Sequence, residues 1–336
     1  MRVAPRGSGM GFGTTKAREA DMQIIILDGY SINPGDLSWD ALREFGTVSV
    51  YDRTPQELVA QRLVGADAVF VNKCRIGEEQ LKKAKNLKFI CVLATGYDVV
   101  DTTAAKGRGI TVCNIPAYST DSVAQMTMAL LLEICMNVGH HNREVHKGRW
   151  THSPDFCFWD TPLIELAGLT FGVLGCGRIG CAAAKLAAAF GMHVIGYSRH
   201  EHPEFPGERV TFDELLARSD VLSLHCPSTV ETRGVINGTT IAKMKDGAIL
   251  LNTSRGSLID PRSVADALNA GKLYAAGVDV ALQEPINKND PLLYAKNCII
   301  TPHIAWAPIA ARQRLMRIAV ENLRAFVNGT PINRVN

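Results

Sequence analysis

Three closely spaced glycines between an apolar run and an alanine-rich stretch are the feature that most constrains the fold. Gly175, Gly177 and Gly180 follow the apolar residues 170–174 and open the helical pattern of residues 178–190. In a strand–turn–helix unit, the first glycine permits a tight turn, the second lets the backbone approach a pyrophosphate, and the third lets the helix pack closely on the sheet. The helix N-terminus then presents unpaired amides and a positive dipole end to the phosphates. The pattern therefore predicts dinucleotide binding rather than a simple glycine-rich turn.

A second predicted strand, residues 193–197, ends where such a unit binds the adenosine ribose. The acidic residue that usually hydrogen-bonds the ribose 2′-hydroxyl is missing, and Ser198, Arg199 and His200 stand in its place. A hydroxyl, a guanidinium and an imidazole suit the extra phosphate of NADP, which a carboxylate would repel. We therefore expect NADP(H) to be the preferred cofactor. In the alternative interpretation, Arg199 lies in solvent, stacks on the adenine, and NAD(H) is used.

Length and composition indicate a soluble two-domain protein. A chain of 336 residues exceeds what one core usually supports, and its 46% hydrophobic and 21% charged residues are typical of globular proteins. A net charge of +3 does not indicate binding to nucleic acid or an anionic membrane, and no apolar run reaches the roughly 18 residues that span a bilayer. The nine cysteines form no CxxC pair. We expect reduced thiols, a cytoplasmic location and no metal site.

The first 21 residues are rich in Gly, Arg and Thr and lack periodicity. They are expected to be disordered or an artificial extension, with Met22 as the natural start. A secretory signal would need an apolar core that this stretch lacks.

From Met22 onward, short apolar runs alternate with helical patterns, which predicts an α/β fold with parallel sheets. The first series of strands is expected at 23–27, 48–51, 68–71, 89–93 and 111–113, and the second near Thr170, His193, Val221, Ala248, Ala275 and Cys298. Residues 121–143 are interpreted as one long helix that connects the two series. Capping boxes are expected at Thr54–Glu57 and Thr211–Glu214.

These elements predict two doubly wound parallel-sheet domains with a cleft between them. A Rossmann-type cofactor domain is expected at 121–304, and a flavodoxin-like substrate domain at 22–120 together with 305–336, to which the final helical stretch returns. Ligands of open α/β sheets bind beyond the carboxyl ends of the strands, so the active site is expected in that cleft.

Three segments that follow strands of the second series carry polar side chains suited to hydride transfer chemistry. Arg255 lies in Asn252–Gly256 and has a planar fork that fits a carboxylate or a carbonyl. His303 follows the last strand, and a histidine is suited to protonate a ketone near neutral pH. We expect Glu284 to raise the pKa of that histidine and to hold one tautomer. Each residue alone fits a structural role, as a surface ion pair, a solvated turn residue or a core histidine; their combination after a cofactor fingerprint favours catalysis.

At this point the chain resembles the D-isomer-specific 2-hydroxyacid dehydrogenases over nearly all of residues 22–336. The matching pieces are Thr95–Asp98 with Asp101, the Gly175 fingerprint, His225–Pro227 with Thr232, Asn252–Gly256, Asp279 with Glu284–Pro285, and Thr301–Trp306. Leu27–Tyr30, Asn33–Leu37 and Phe156–Asp160 are similar to the glycerate dehydrogenase and hydroxypyruvate reductase branch. Two residues depart from the pattern: Ser198 replaces the usual aspartate, and Gln125 stands where many members have glutamate, without a functional account.

The resemblance implies a role for each matching residue. Arg255 would bind the substrate carboxylate and carbonyl, His303 would be the acid/base and Glu284 its partner. The backbone amides around Thr95 and Gly96 would hold the carboxylate, with Tyr97 and Trp306 beside the substrate. Asp279 would lie on the nicotinamide carboxamide side, and the further cofactor contacts would be Arg178, Ile179, Cys226, Pro227, Thr232, Thr253 and Ser254.

The expected reaction is reversible hydride transfer between NADP(H) or NAD(H) and a small 2-oxo acid, foremost hydroxypyruvate or glyoxylate. The family also contains cofactor-sensing co-repressors, which are the alternative function, and formate dehydrogenases, which are disfavoured because they carry a neutral amide at the position of Glu284. The resemblance further implies a homodimer formed through the helix that starts at Asp121 and its surroundings.

Overall fold

The computed structural model describes residues 21–336, and the predicted extension at 1–21 therefore lies outside the described residues except for Asp21. The chain divides into two compact units, one formed by residues up to Pro116 together with Gln313–Asn336 and the other by Ala117–Arg312. Each unit contains one parallel sheet. We call them unit 1 and unit 2.

Unit 1 is a five-stranded sheet in the order β2-β1-β3-β4-β5, which is the flavodoxin-like order. Its strands are β1 (Met22–Ile26), β2 (Gly46–Val50), β3 (Ala68–Val71), β4 (Phe89–Val92) and β5 (Thr111–Cys113), and its helices are α1 (Gln56–Arg62), α2 (Glu78–Lys83), α3 (Thr102–Gly107) and most of α10 (Ile309–Val327). Helices α1 to α3 bury Val59, Leu81 and Ala105 against the central strands. Phe326 of α10 packs on Phe89 of β4, with ring centroids 5.0 Å apart.

Unit 2 is a seven-stranded sheet in the order β12-β11-β10-β9-β6-β7-β8. Its strands are β6 (Thr170–Leu174), β7 (His193–Tyr197), β8 (Glu208–Arg209), β9 (Val221–Leu224), β10 (Ala248–Asn252), β11 (Leu273–Val278) and β12 (Cys298–Ile300). Its helices are α4 (Thr120–Met136), α5 (Val138–His146), α6 (Arg178–Ala189), α7 (Phe212–Arg218), α8 (Gly238–Lys243) and α9 (Pro261–Ala270). Apart from the outermost strand β12, this is the Rossmann order.

Both faces of the unit 2 sheet are covered. Alanines of α6 and leucines of α4 pack on one face, and apolar residues of α7, α8 and α9 pack on the other. All strand pairs are parallel, so every strand of a sheet ends at the same edge. The predicted α/β class with two doubly wound parallel sheets is confirmed.

Three local predictions were wrong or incomplete. The helix expected over 121–143 is broken at Asn137, whose φ of 47° is left-handed, and the Glu133 carboxylate accepts the amide of Gly139 beyond the break. Thr54 does not cap α1, because its hydroxyl donates to the carbonyl of Leu27. The short strand β8 was not predicted at all. The capping box of Thr211 and Glu214 is confirmed.

The nine cysteines are all free, and seven are buried. Burial raises the pKa of the Cys113, Cys135 and Cys226 thiols to about 11. In residues 21–336 no group of three or more His, Cys, Asp or Glu side chains is placed to hold a metal ion. No single helix of those residues is long and apolar enough to cross a membrane, while α4 and α5 taken together pass that test by length and composition only, across a bend of 56°.

Candidate active site

The glycine turn after β6 is shaped by two close approaches. Gly175 has a φ of 102°, and a Cβ at this position would lie 2.5 Å from the amide nitrogen of Cys226. A Cβ at Gly180 would lie 2.1 Å from the carbonyl oxygen of Gly175. A side chain at either position would therefore force the turn, the helix and the neighbouring loop apart.

Gly177 has a different environment. It is the N-cap residue of α6 and makes no side-chain capping bond, and a Cβ built on it would meet no described atom within 4 Å. The first amides of a helix have no partner inside the helix, here those of Arg178, Ile179 and Gly180. Open space in front of free amides and a positive dipole end fits the pyrophosphate of a dinucleotide. These residues therefore fit the expected cofactor.

At the end of β7, the segment Ser198–His200 forms a turn that is held by Arg209. The Ser198 hydroxyl donates to the carbonyl of His200 at 2.7 Å. Nη2 of Arg209 donates to the carbonyls of Ser198 and His200 at 3.2 and 3.3 Å. Arg199 lies 3.7 Å from a carboxylate oxygen of Glu231, and both side chains are exposed. Sequence reasoning missed Arg209, because it lies in the unpredicted strand β8, and Glu231, because its proximity to Arg199 depends on tertiary structure.

The loops after β9 and β10 are tied to each other. The Ser254 hydroxyl donates to the carbonyl of Cys226 at 2.7 Å, and the Thr232 hydroxyl donates to the carbonyl of Pro227 at 2.6 Å. Thr253 is buried with its hydroxyl 3.0 Å from that of Thr127, which also bonds the carbonyl of Val123. Thr253 thus holds the loop after β10 from its buried side. Ser254 ties that loop to the loop after β9, and Thr232 closes a turn within the loop after β9.

Arg255 is presented by a tight turn at the end of β10. The buried Asn252 accepts the amide of Ser254 at 3.1 Å and donates to the carbonyl of Arg255 at 2.9 Å. Gly256 must be a glycine, since a Cβ there would lie 2.1 Å from the carbonyl oxygen of Ala281. Arg255 itself is exposed and donates to the carbonyl of Ser254 at 2.8 Å. Its remaining guanidinium N–H groups are suited to an anionic ligand.

The charge of Arg255 also influences the hydroxyl of Tyr118 in unit 2. Burial raises the pKa of the Tyr118 hydroxyl to about 12, and the positive charge of Arg255 opposes that rise. Tyr118 therefore stays protonated near neutral pH.

His303 and Glu284 form a hydrogen-bonded pair. Nδ1 of His303 lies 2.7 Å from Oε2 of Glu284, and the other carboxylate oxygen of Glu284 accepts the amide of Ala281 at 3.2 Å. A carboxylate accepts only, so Nδ1 carries the hydrogen and Nε2 is left for exchange with a ligand. The predicted proximity of these two residues is therefore seen in the structure.

Asp279 anchors the loop that carries His303. Its fully buried carboxylate accepts from the Thr301 hydroxyl at 2.6 Å, from the Ile304 amide at 2.9 Å and from the Ala305 amide at 2.8 Å. His303 between them has a left-handed φ of 54°, which is uncommon for a residue other than glycine. Three hydrogen bonds to one charged group hold that conformation. Trp306 follows the loop and is half-buried.

In unit 1, the loop after β4 is tied to the end of β5. The Thr95 hydroxyl donates to the carbonyl of Ile115 at 2.9 Å, and the Asn114 amide donates to the carbonyl of Thr95 at 2.7 Å. Gly96 is half-buried and Tyr97 is exposed. The loop is thus held from behind at the carboxyl edge of the sheet.

The histidines near α5 were not expected to bind a metal. Nε2 of His140 lies 2.5 Å from a carboxylate oxygen of Asp160, which also accepts from Arg149 at 2.6 Å. The Arg149 hydrogen bond, followed by that of His140, holds the pKa of Asp160 well below its usual range. The cluster fastens the segment after α5 to that helix.

The chain is similar to known proteins over most of its length. The family model "D-isomer specific 2-hydroxyacid dehydrogenase, NAD binding domain" matches residues 128–305. A hydroxypyruvate reductase of Blautia hydrogenotrophica is 54% identical over 94% of this chain and 100% of that protein, and a glycerate dehydrogenase of Methylorubrum extorquens is 38% identical over 93% and 98%. The crystal structure of the TT0316 protein from Thermus thermophilus superposes with a TM-score of 0.83 at 37% identity and covers 94% of this chain and 100% of that one.

The chain therefore belongs to the D-isomer-specific 2-hydroxyacid dehydrogenases, an oxidoreductase family that uses a nicotinamide dinucleotide. Within it, the chain falls in the branch of the hydroxypyruvate reductases and glycerate dehydrogenases. The resemblance seen in the sequence motifs is therefore confirmed both for the family and for the branch.

Proposed function

We propose that this protein reduces hydroxypyruvate or glyoxylate with NADPH in preference to NADH. The names of its relatives support the substrate class. The single observation that carries the chemistry is the His303–Glu284 pair, which leaves Nε2 of the histidine as a proton donor at the carboxyl edge of the unit 2 sheet. The co-repressor alternative is not favoured, because these relatives are named as enzymes.

In the proposed mechanism, the bound cofactor supplies the hydride, and the chain binds, orients and protonates the substrate. Arg255 binds the substrate carboxylate and polarises its carbonyl through a charge-assisted hydrogen bond. Nε2–H of His303 gives its proton to the carbonyl oxygen. Glu284 accepts the Nδ1–H bond throughout, and so holds the tautomer that leaves Nε2 for proton exchange with the substrate.

Within unit 1, the backbone amides near Thr95 and Gly96 are proposed to bind the substrate carboxylate, with Tyr97 beside them. In unit 2, Trp306 is proposed to limit the width of the substrate pocket. Small 2-oxo acids would then be preferred over aryl 2-oxo acids.

The NADPH preference rests on the residues after β7. No carboxylate belongs to the Ser198–His200 turn, and two guanidinium groups, Arg199 and Arg209, lie at it. The proposed cofactor contacts elsewhere are Gly175, Gly177, Arg178, Ile179, Gly180, Cys226, Pro227, Thr232 and Ser254, while the buried Thr253 and Asp279 are proposed to hold the loops that line the cofactor site. NAD(H) remains the alternative, in which Arg199 stays paired with Glu231.

The experiment that tests the function is a set of initial rates. NADPH and NADH oxidation would be followed with hydroxypyruvate, glyoxylate, pyruvate and phenylpyruvate. Fast NADPH-linked turnover of hydroxypyruvate or glyoxylate is expected, with a lower KM for NADPH than for NADH. Turnover of none of the four acids would contradict the proposed substrate class, and a lower KM for NADH would contradict the cofactor preference.

We also propose a homodimer that covers the segment after α5. This segment, residues 150–163, exposes Trp150, Phe156, Trp159 and Leu163, and Phe156 is 89% exposed. Hydrogen bonds such as that from the Trp150 indole to the carbonyl of Phe156 hold the segment in a defined shape. An ordered group of exposed aromatic side chains is typical of an interface.

Light scattering after size-exclusion chromatography tests the dimer. The wild-type chain should elute as a dimer, and the Phe156→Ser/Trp159→Ser variant should shift toward the monomer. Tyr294→Ser is the matched control, because Tyr294 is 74% exposed outside this segment. A wild-type monomer at micromolar concentration would contradict the proposal.

A further inference from the structure

Arg209 lies beside the Ser198–His200 turn, which is proposed to bind the adenosine ribose. Strand β8 pairs with β7 so that Arg209 lies opposite Gly196, two residues before Ser198. From there its guanidinium reaches the carbonyls of Ser198 and His200. Those two bonds use one of the two terminal nitrogens, and the fork has N–H groups left for an anion.

Arg209 has no ion pair with any of the described carboxylates. Glu208, its neighbour on β8, is bound by Arg218 through two hydrogen bonds of 2.8 and 2.6 Å. The positive charge of Arg209 is also felt at the Cys176 thiol, where it opposes the rise in pKa caused by burial. The strand pairing places Arg209 beside the glycine turn, because a Cβ on its partner Gly196 would lie 2.7 Å from Sγ of Cys176.

Glu231, in the loop after β9, places a negative charge beside Arg199. Its carboxylate lies 3.7 Å from Nη1 of Arg199 and accepts the Thr229 hydroxyl at 2.6 Å. The hydrogen bond from the Thr229 hydroxyl lowers the pKa of Glu231, so the carboxylate is charged near neutral pH. A phosphate placed on Arg199 would meet this carboxylate.

We infer that Arg209 and Glu231 set the discrimination between NADPH and NADH, as a second cation for the 2′-phosphate and as a carboxylate that competes for Arg199. The inference rests on the proposed use of this turn by the adenosine ribose. The sum of the three charges is +1, and a phosphate monoester carries about −1.5 to −2 at neutral pH. Removal of the Glu231 charge raises the local sum to +2 and favours the phosphate.

Direct binding measurements test this without any need for turnover. Dissociation constants of NADPH, NADH and adenosine 2′,5′-bisphosphate would be measured by isothermal titration calorimetry for the wild type and the variants Glu231→Gln, Arg209→Lys and Arg209→Met. Glu208→Gln is the matched control, since it removes a carboxylate that is already paired with Arg218. Thermal melting would check that each variant is folded.

We expect Glu231→Gln to tighten NADPH and the bisphosphate about three- to tenfold and to change NADH less than about twofold, as the loss of one exposed repulsion predicts. Arg209→Met should weaken NADPH about tenfold or more and NADH much less, while Arg209→Lys should retain part of the NADPH affinity because it keeps the charge. Glu208→Gln should leave both unchanged.

The inference is overturned if Glu231→Gln and Arg209→Met leave the ratio of NADPH to NADH affinity unchanged, or if Arg209→Met and Arg209→Lys weaken both cofactors equally, as a purely structural role would. The proposed function can fail separately. If the wild type binds NADH more tightly and the variants still move the ratio, the NADPH preference is wrong and the inference stands.

Discussion

The buried carboxylate of Asp279 holds the backbone of His303 in place, although its hydrogen bonds go to the residues on either side of the histidine. The carboxylate bonds Thr301 before it and Ile304 and Ala305 after it, and His303 has its left-handed backbone between these contacts. The orientation of the imidazole toward Glu284 therefore depends on the buried carboxylate of Asp279, which follows the neighbouring strand β11.

Replacement of Asp279 by Asn should both destabilise the protein and misplace the histidine. An amide turns its NH₂ group toward at least one donor of the loop, so a buried donor loses its partner, at a cost of about 2–4 kcal/mol in the free energy of unfolding. Chemical denaturation and kcat measure the two effects. Thr301→Val removes only one of the three bonds and should cost less; an equal cost for the two variants would contradict the anchoring role.

Removal of the imidazole should affect the rate rather than binding. His303→Ala should lower kcat about 10²–10⁴-fold while the dissociation constant of NADPH changes little, because general acid catalysis contributes on this scale. Glu284→Gln should lower kcat less, since an amide oxygen can still accept the Nδ1–H bond. His193→Ala, which removes an exposed histidine at the start of β7, is the control. An unchanged kcat in His303→Ala would refute the assignment.

The glycine turn predicts opposite phenotypes for two single-methyl changes. Gly180→Ala should destabilise unit 2 by about 3 kcal/mol or more, because the new methyl meets the Gly175 carbonyl. Gly177→Ala should leave the free energy of unfolding within about 1 kcal/mol, since it meets open space, yet weaken dinucleotide binding. Denaturant titration and calorimetric cofactor titration check the pair. Full cofactor affinity in Gly177→Ala would show that the phosphates lie elsewhere.

His225 should make stability depend on pH. Burial lowers the pKa of its imidazole to about 4, Nε2 pairs with the Ser223 hydroxyl at 2.8 Å, and Nδ1 has no partner in residues 21–336. Because the unfolded chain binds a proton near pH 6.5 and the folded chain does not, stability is full above pH 6.5 and falls as the pH drops toward 4, by about 3 kcal/mol at most.

Urea denaturation at several pH values measures that loss. His225→Gln should flatten the curve between pH 6.5 and 4, whereas replacement of the exposed His193 by Gln should not. An unchanged curve in His225→Gln would assign the acid sensitivity to another group.

The sequence predicted those parts of the fold that depend on local patterns. Strand runs, the glycine turn and the Thr211 capping box depend on residue type and spacing, and each appears where it was expected. The break at Asn137 was missed because Asn lies within an otherwise continuous apolar pattern, and only its left-handed backbone ends the helix. Thr54 was misassigned because a contact with Leu27, remote in sequence, takes its hydroxyl.

The candidate site shows the same division between features set by local sequence patterns and features set by tertiary contacts. Arg255, Glu284 and His303 could be named as candidates from the sequence because they follow predicted strands in a known order of motifs. Arg209 was not found, since β8 has only two residues and its pairing with β7 depends on tertiary structure. The internal partners of Asp279 were missed for a similar reason, as Thr301, Ile304 and Ala305 reach it only once β11 and β12 lie side by side.

The reaction of the buried cysteines with thiol reagents can report local opening of the native protein. The thiolate is the form that reacts with alkylating and disulfide reagents, and burial both shields these sulfurs and raises their pKa. Cys113 lies in the sheet of unit 1, and Cys226 lies beside the glycine turn of unit 2. Their labelling rates, resolved by mass spectrometry, would therefore record how often each sheet opens, and a bound dinucleotide would slow the second rate more than the first.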